Sequence, residues 1–135
     1  MWYKAAENPD VVTNLYTHIP LLQSVRLTEV SLYQSESRMI LKFFTPFFPD
    51  KVPKLWEMYQ YNAMQVMLEL FDIEYFDLLK WIGEVKVDIN IEKDTEGVIS
   101  LFVSSPNCTI RAHAHTLHLT VSGYRFKEND AYFLK

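Results

Sequence analysis

Three of the four histidines, His113, His115 and His118, fall within six residues of one another. Side chains on an extended strand alternate between faces, so His113 and His115 point the same way, about 7 Å apart. That H-x-H spacing occurs in metal sites, because a neutral imidazole nitrogen is a good ligand for zinc. His118 has the opposite parity. It joins the pair only if the strand changes phase near Thr116. The apolar residues allow this: Ala112 and Ala114 precede in one phase, and Leu117, Leu119 and Val121 follow in the other. No acid or cysteine stands nearby in sequence as a fourth ligand. The plainer reading is therefore polar residues on the wet face of a strand. A small metal-dependent hydrolase built on His113, His115 and His118 is the enzymatic alternative.

Other signatures of catalysis are weaker still. The sequence contains no Gly-x-Ser-x-Gly elbow, and Cys108 stands at the start of a strand with no nucleophile motif around it. Its three glycines, Gly83, Gly97 and Gly123, are too scattered to form a phosphate-cradling loop. Carboxylates are plentiful but occupy alternating strand positions, as on a solvated face. No cofactor is implied. The aromatic residues are more informative. Trp2, Tyr3, Phe47, Phe48, Trp56, Tyr59, Tyr61, Tyr75, Phe76 and Trp81 exceed what one small core usually needs. Most belong in a core. The alternative for some is an aromatic patch in a binding surface, where Trp and Tyr dominate affinity.

The elements that must position these residues are mostly strands. Near the start, Asn8 is a good N-cap, Pro9 suits a first helical position and Asp10 suits the positive end of the dipole. Val11, Val12, Leu15, Tyr16 and Ile19 follow at helical spacing until Pro20, which predicts a helix over Pro9–His18. So short a helix needs a sheet to pack on. Val25–Tyr33 reads as a strand whose phase change near Thr28 and Glu29 suggests a bulge or burial on both sides, turned at Gln34–Ser37 onto a returning strand, Arg38–Phe44. Thr45–Tyr61 holds Pro46, Pro49 and Pro53 among many aromatics. It is a long excursion that must be pinned to the body, with a helical turn near Lys54–Tyr59. Strands are expected over Ala63–Phe71 and Ile73–Trp81. In the next one, Val85, Val87, Ile89 and Ile91 alternate with Lys86, Asp88, Asn90 and Glu92, one face buried and one wet. Asp94–Gly97 turns onto Val98–Ser104, and Thr109–His115 and Leu117–Tyr124 complete the sheet. Arg125–Lys135 reads as a tail. The expected fold is α+β but mostly β: one domain with an antiparallel meander of six to eight strands and one N-terminal helix packed on it.

With 135 residues, nearly half of them apolar, the chain can bury a single core. One cysteine permits no intrachain disulfide, and no signal peptide or membrane-spanning run is evident, so a cytoplasmic setting is expected. The net charge of −4 makes nucleic acid a poor partner, and a membrane is equally unsupported. Between Glu69 and Glu96 nine acids are opposed only by Lys80, Lys86 and Lys93, a net of −6. This is a solvated sheet face or a docking surface for a basic partner. The second reading assigns partner binding to Asp77, Asp88 and Glu92, with Trp56 or Tyr59 as the desolvated anchors. A structural protein that oligomerises through an edge strand is a further alternative.

The order of features resembles the immunity protein 50 family of bacterial polymorphic toxin systems. Trp2 stands first, followed by Leu15-Tyr16, Ile19-Pro20, and Val25-Arg26-Leu27 with Glu29-Val30. Phe48-Pro49-Asp50 leads to Pro53 and Trp56. Asn62 and Gln65-Val66 come next, then a W-x-G element at Trp81-Ile82-Gly83. Val87-Asp88-Ile89, Ile91-Glu92-Lys93 and Ser122-Gly123-Tyr124 complete the series. The resemblance runs from about Trp2 to Tyr124. It implies a non-enzymatic inhibitor that binds the cognate toxin domain encoded beside it. Many such toxins are nucleases with basic channels.

Overall fold

The computed structural model describes residues 1–83 and 85–127. After a 3-10 turn at Trp2–Ala5 come α1 (Asp10–Thr13), β1 (Val25–Tyr33), β2 (Arg38–Thr45), α2 (Lys54–Met58), β3 (Ala63–Phe71) and β4 (Tyr75–Trp81). They are followed by β5 (Val85–Lys93), β6 (Ile99–Ser105), β7 (Cys108–Ala114) and β8 (Thr116–Tyr124). The fold is mostly β, as expected, with eight strands in one antiparallel sheet. The bulge falls between Leu27 and Glu29, where the β1–β2 register shifts.

The strand order is β4-β7-β6-β5-β1-β2-β3-β8, not the simple meander expected from the short turns. Two three-stranded meanders, β1-β2-β3 and β5-β6-β7, are joined by a short β1–β5 ladder that begins at Val25 opposite Val87. The remaining two strands continue others along the chain. β3 runs into β4 through a kink at Asp72, where φ is +55°, and β7 runs into β8 through His115. The two composite strands pair along their lengths, β3 with β8 and β4 with β7, so the sheet folds back on itself. The phase change anticipated near Thr116 occurs here. Ala112 and Ala114 are buried before it, and Leu117 and Leu119 after it.

One apolar cluster fills the interior, and both halves of the sheet contribute. Met39, Phe43, Leu68, Ile99, Ile110 and Leu117 are fully enclosed. Each such side chain contributes roughly 1.5–3 kcal/mol by leaving water. In β5, Val87, Ile89 and Ile91 are buried while Asp88, Asn90 and Glu92 face solvent, which is the expected register; the side chain of Val85 lies outside the described residues. The Asp94 turn closes the β5–β6 hairpin. The Asp94 carboxylate accepts the N–H groups of Glu96 and Val98, both at 2.9 Å, and Gly97 takes the left-handed φ of +88°.

The N-terminal helix is shorter than its apolar spacing implies. Only Asp10–Thr13 is α-helical, although Val12, Leu15 and Tyr16 are buried as that spacing requires. The polar groups that would cap and continue a helix are used elsewhere. The Asn8 amide donates to Leu119 O at 2.8 Å and accepts from Leu119 N–H at 2.9 Å, so it does not serve as the N-cap. The Leu15 carbonyl accepts from Lys51 N–H, and the Thr17 N–H donates to the Asp50 carboxylate. Tertiary partners thus take the Leu15 carbonyl and the Thr17 N–H, which a continuing helix would have used.

The same bonds pin the Thr45–Tyr61 excursion. Tyr16 Oη donates to Phe47 O, and burial, followed by the nearby Asp50 charge, pushes its phenol well above its ordinary value. The part of the expected tail that is described is held in place: Phe126 exchanges two backbone hydrogen bonds with the Asn62 side chain and packs on Phe44 and Tyr124. Residues 128–135 of that segment lie outside the described residues.

Candidate partner-binding surface

Cross-strand pairing sets the outer face of the β4-β7-β6-β5 half in three rows. Tyr75, His113, Ser100 and Glu92 form one; Asp77, Arg111, Phe102 and Asn90 the next; Leu79, Thr109, Ser104 and Asp88 the third. Asp77, Asp88 and Glu92, singled out from charge alone, therefore share one exposed face, one to a row. Their surroundings differ. Arg111, opposite Asp77, lies over the Phe102 ring at 4.9 Å. Asp88 accepts the Ser24 N–H at 2.9 Å, so it also fixes the entry to β1, where Ser24 has a φ of +53°.

Trp56 and Tyr59 are on a different part of the molecule, the excursion between β2 and β3. The Trp56 ring is half-buried against the core. It lies 6.1 Å from Phe48 and 6.2 Å edge-on to Tyr61. Tyr59 stacks on Tyr61 at 5.6 Å and is largely exposed, with Leu55 and Met58 beside it in the chain. The structure thus groups the three acids on one sheet face and the two aromatics on α2 and its end.

The imidazoles are divided among separate partners. His113 stands against Tyr75, 5.4 Å between ring centres. His115 Nε2 pairs with the Glu74 carboxylate across the two strand kinks. His118 lies on β8, opposite Glu69. Among the described residues, no group of three or more His, Cys, Asp or Glu is arranged to hold a metal ion. Cys108 is buried, and desolvation pushes its thiol up, away from the thiolate that a nucleophile needs.

Sequence reasoning chose Asp77 by charge and left Tyr75 and Trp81 open between core and binding patch, but did not single out Leu78, Leu79 or Ile82. Tyr75, Leu78, Leu79 and Trp81 are all substantially exposed, with Ile82 just beyond the strand. The signal was present, because apolar residues occupy both phases of this strand. Periodicity alone reads such a run as buried on two sides, whereas here Phe76 packs against the core and Leu78, Leu79 and Trp81 are exposed.

Among the described residues no helix is long and apolar enough to cross a membrane. Compared with curated proteins and with solved structures, the chain has no match. The family model described as Immunity protein 50 matches residues 8–124. That span holds the whole sheet as well as Asp77, Asp88 and Glu92, and the chain belongs to the immunity protein 50 family.

Proposed function

We propose that this chain neutralises a bacterial toxin by binding it stoichiometrically in the cytoplasm, without catalysing a reaction. The observation that carries this reading is the family match over residues 8–124. The geometry supports it. Asp77, Asp88 and Glu92 lie on one open face, and the candidate catalytic histidines have separate partners. An acidic face draws a basic partner in over distances of about one Debye length, roughly 8 Å at physiological salt. A nuclease toxin with a basic substrate channel matches this charge best.

The test uses the toxin domain encoded by the neighbouring gene. Association rates are measured for Asp77→Lys and Glu92→Lys at low and high salt. Each reversal slows association at low salt, and the difference shrinks as salt is added. Asp88→Lys is read together with its unfolding curve, because it also removes the acceptor for Ser24. Rates and salt dependence identical to those of the unaltered chain would remove the steering role.

A further inference from the structure

The two end strands of the sheet are treated differently. The outer edge of β8 is engaged by the N-terminal segment: Glu7 N–H donates to Leu117 O at 2.9 Å, and the Asn8 amide bonds both backbone groups of Leu119. β4 is the other end strand, and among the described residues it is paired only with β7. A bare strand edge offers a row of N–H and C=O groups to any strand that arrives, and proteins ordinarily cover or charge such an edge. Here the edge is apolar on both faces, with Leu79 63% and Trp81 53% exposed. At its root lies a cleft of about 220 Å³, lined by Leu32, Tyr33 and Arg38 of the β1–β2 hairpin and by Ile73 and Phe76.

The charge on the edge indicates what completes it. Asp77 is exposed at the middle of β4, between Tyr75 and Leu79 on the outer face; Arg111 stands opposite it on the β7 side, over the Phe102 ring, and the other side of Asp77 faces the open edge. Residues directly opposite in an added antiparallel strand share a face and sit about 5 Å apart, so an unfavourable neighbour there is costly. A second copy of this chain makes a poor match. Two-fold pairing centred on Phe76, Asp77 or Leu78 sets Asp77 opposite Tyr75, Asp77 or Leu79 of the other copy, never opposite a cation. Lys80 has a φ of +65°, and the β4–β7 register shifts between Leu79 and Trp81, so the edge is bulged there and offers regular pairing to any added strand over Tyr75–Leu79.

We propose that β4 is the docking edge for the toxin, which adds an extended strand carrying a lysine or arginine opposite Asp77 between apolar residues. This inference rests on the immunity reading above and assigns the place and mode of contact.

The experiment is amide hydrogen exchange on the full chain, alone and with the toxin domain from the neighbouring gene. The expected result is slowed exchange at residues 75–81 only in the complex. Leu79→Lys and Asp77→Lys, both at exposed positions, should weaken binding by about tenfold or more, with Tyr59→Ala near unity. Circular dichroism checks that each variant is folded. A complex that protects Lys54–Met58 instead, and is indifferent to Leu79→Lys, overturns the docking edge and leaves the immunity reading intact. Protection of 75–81 in the chain alone, rising with its concentration alongside a doubling of mass in light scattering, assigns the edge to a second copy and also overturns the proposal. Absence of any complex removes the immunity reading, and this inference with it.

Discussion

Asp50 illustrates how one side chain can redirect a local structure. Its carboxylate accepts both the N–H and the hydroxyl of Thr17, and these bonds, the hydroxyl's foremost, hold its carboxyl below the ordinary 3.8. A depressed folded-state value stabilises the fold above the unfolded-state value, and that contribution is lost as pH falls through the lowered one. Asp50→Asn should therefore lower stability at neutral pH and flatten its acid dependence below about pH 4. Urea unfolding from pH 2 to pH 7 checks this; parallel curves for both proteins would show that the Thr17 bonds contribute nothing. None of this was legible in the sequence. Phe48-Pro49-Asp50 could be noticed as a motif, but a partner 33 positions away cannot be read from spacing. The histidines present the opposite case. Their phase change was legible from Ala112, Ala114, Leu117 and Leu119, whereas the Glu74 partner of His115 depends on two kinks meeting in space.

Among the elements, the strands and the helical turn at Lys54–Met58 were legible, and the N-terminal helix only in part. Period-two alternation gives Ala63–Phe71 and Val25–Tyr33 at the bounds observed, because one face of each strand must be apolar. The helix expected over Pro9–His18 fails because apolar spacing records burial, which a turn followed by an irregular segment satisfies equally well. The Thr45–Tyr61 excursion was recognised as pinned, and Gly123 shows how closely. A Cβ at Gly123 would lie 2.1 Å from Tyr61 Cδ2, so this strand position admits only glycine while the ring stays in place. Gly123→Ala must displace Tyr61, which packs on both Trp56 and Tyr59, at a cost of about 1–3 kcal/mol. Trp56→Ala should cost about 2–3 kcal/mol, since its ring is only half-buried, and Tyr59→Ala less than about 1 kcal/mol. Denaturant midpoints for the three variants test this ranking. A large loss for Tyr59→Ala with none for Gly123→Ala would mean that the rings are packed differently.

For the molecule as a whole, an asymmetric sheet carries the functional reading. One end strand is closed by the N-terminal segment; the other, among the described residues, is paired on one side only, is largely apolar, and borders the face that carries Asp77, Asp88 and Glu92. The excess of acids from Glu69 to Glu96 was legible as charge. The placing of three of those acids, Asp77, Asp88 and Glu92, on one face required the pairing of β4 and β5 through β7 and β6, which no local pattern encodes. Under the function proposed above, that face is the one that would meet a basic partner. The most direct measurement of this account produces the neighbouring toxin domain in cells with and without this chain, then isolates what the chain has bound. The toxin alone should arrest growth, the chain should restore it, and the two should purify as a stoichiometric complex. Arrest that persists beside abundant folded chain, or protection with no complex formed, would contradict the immunity reading.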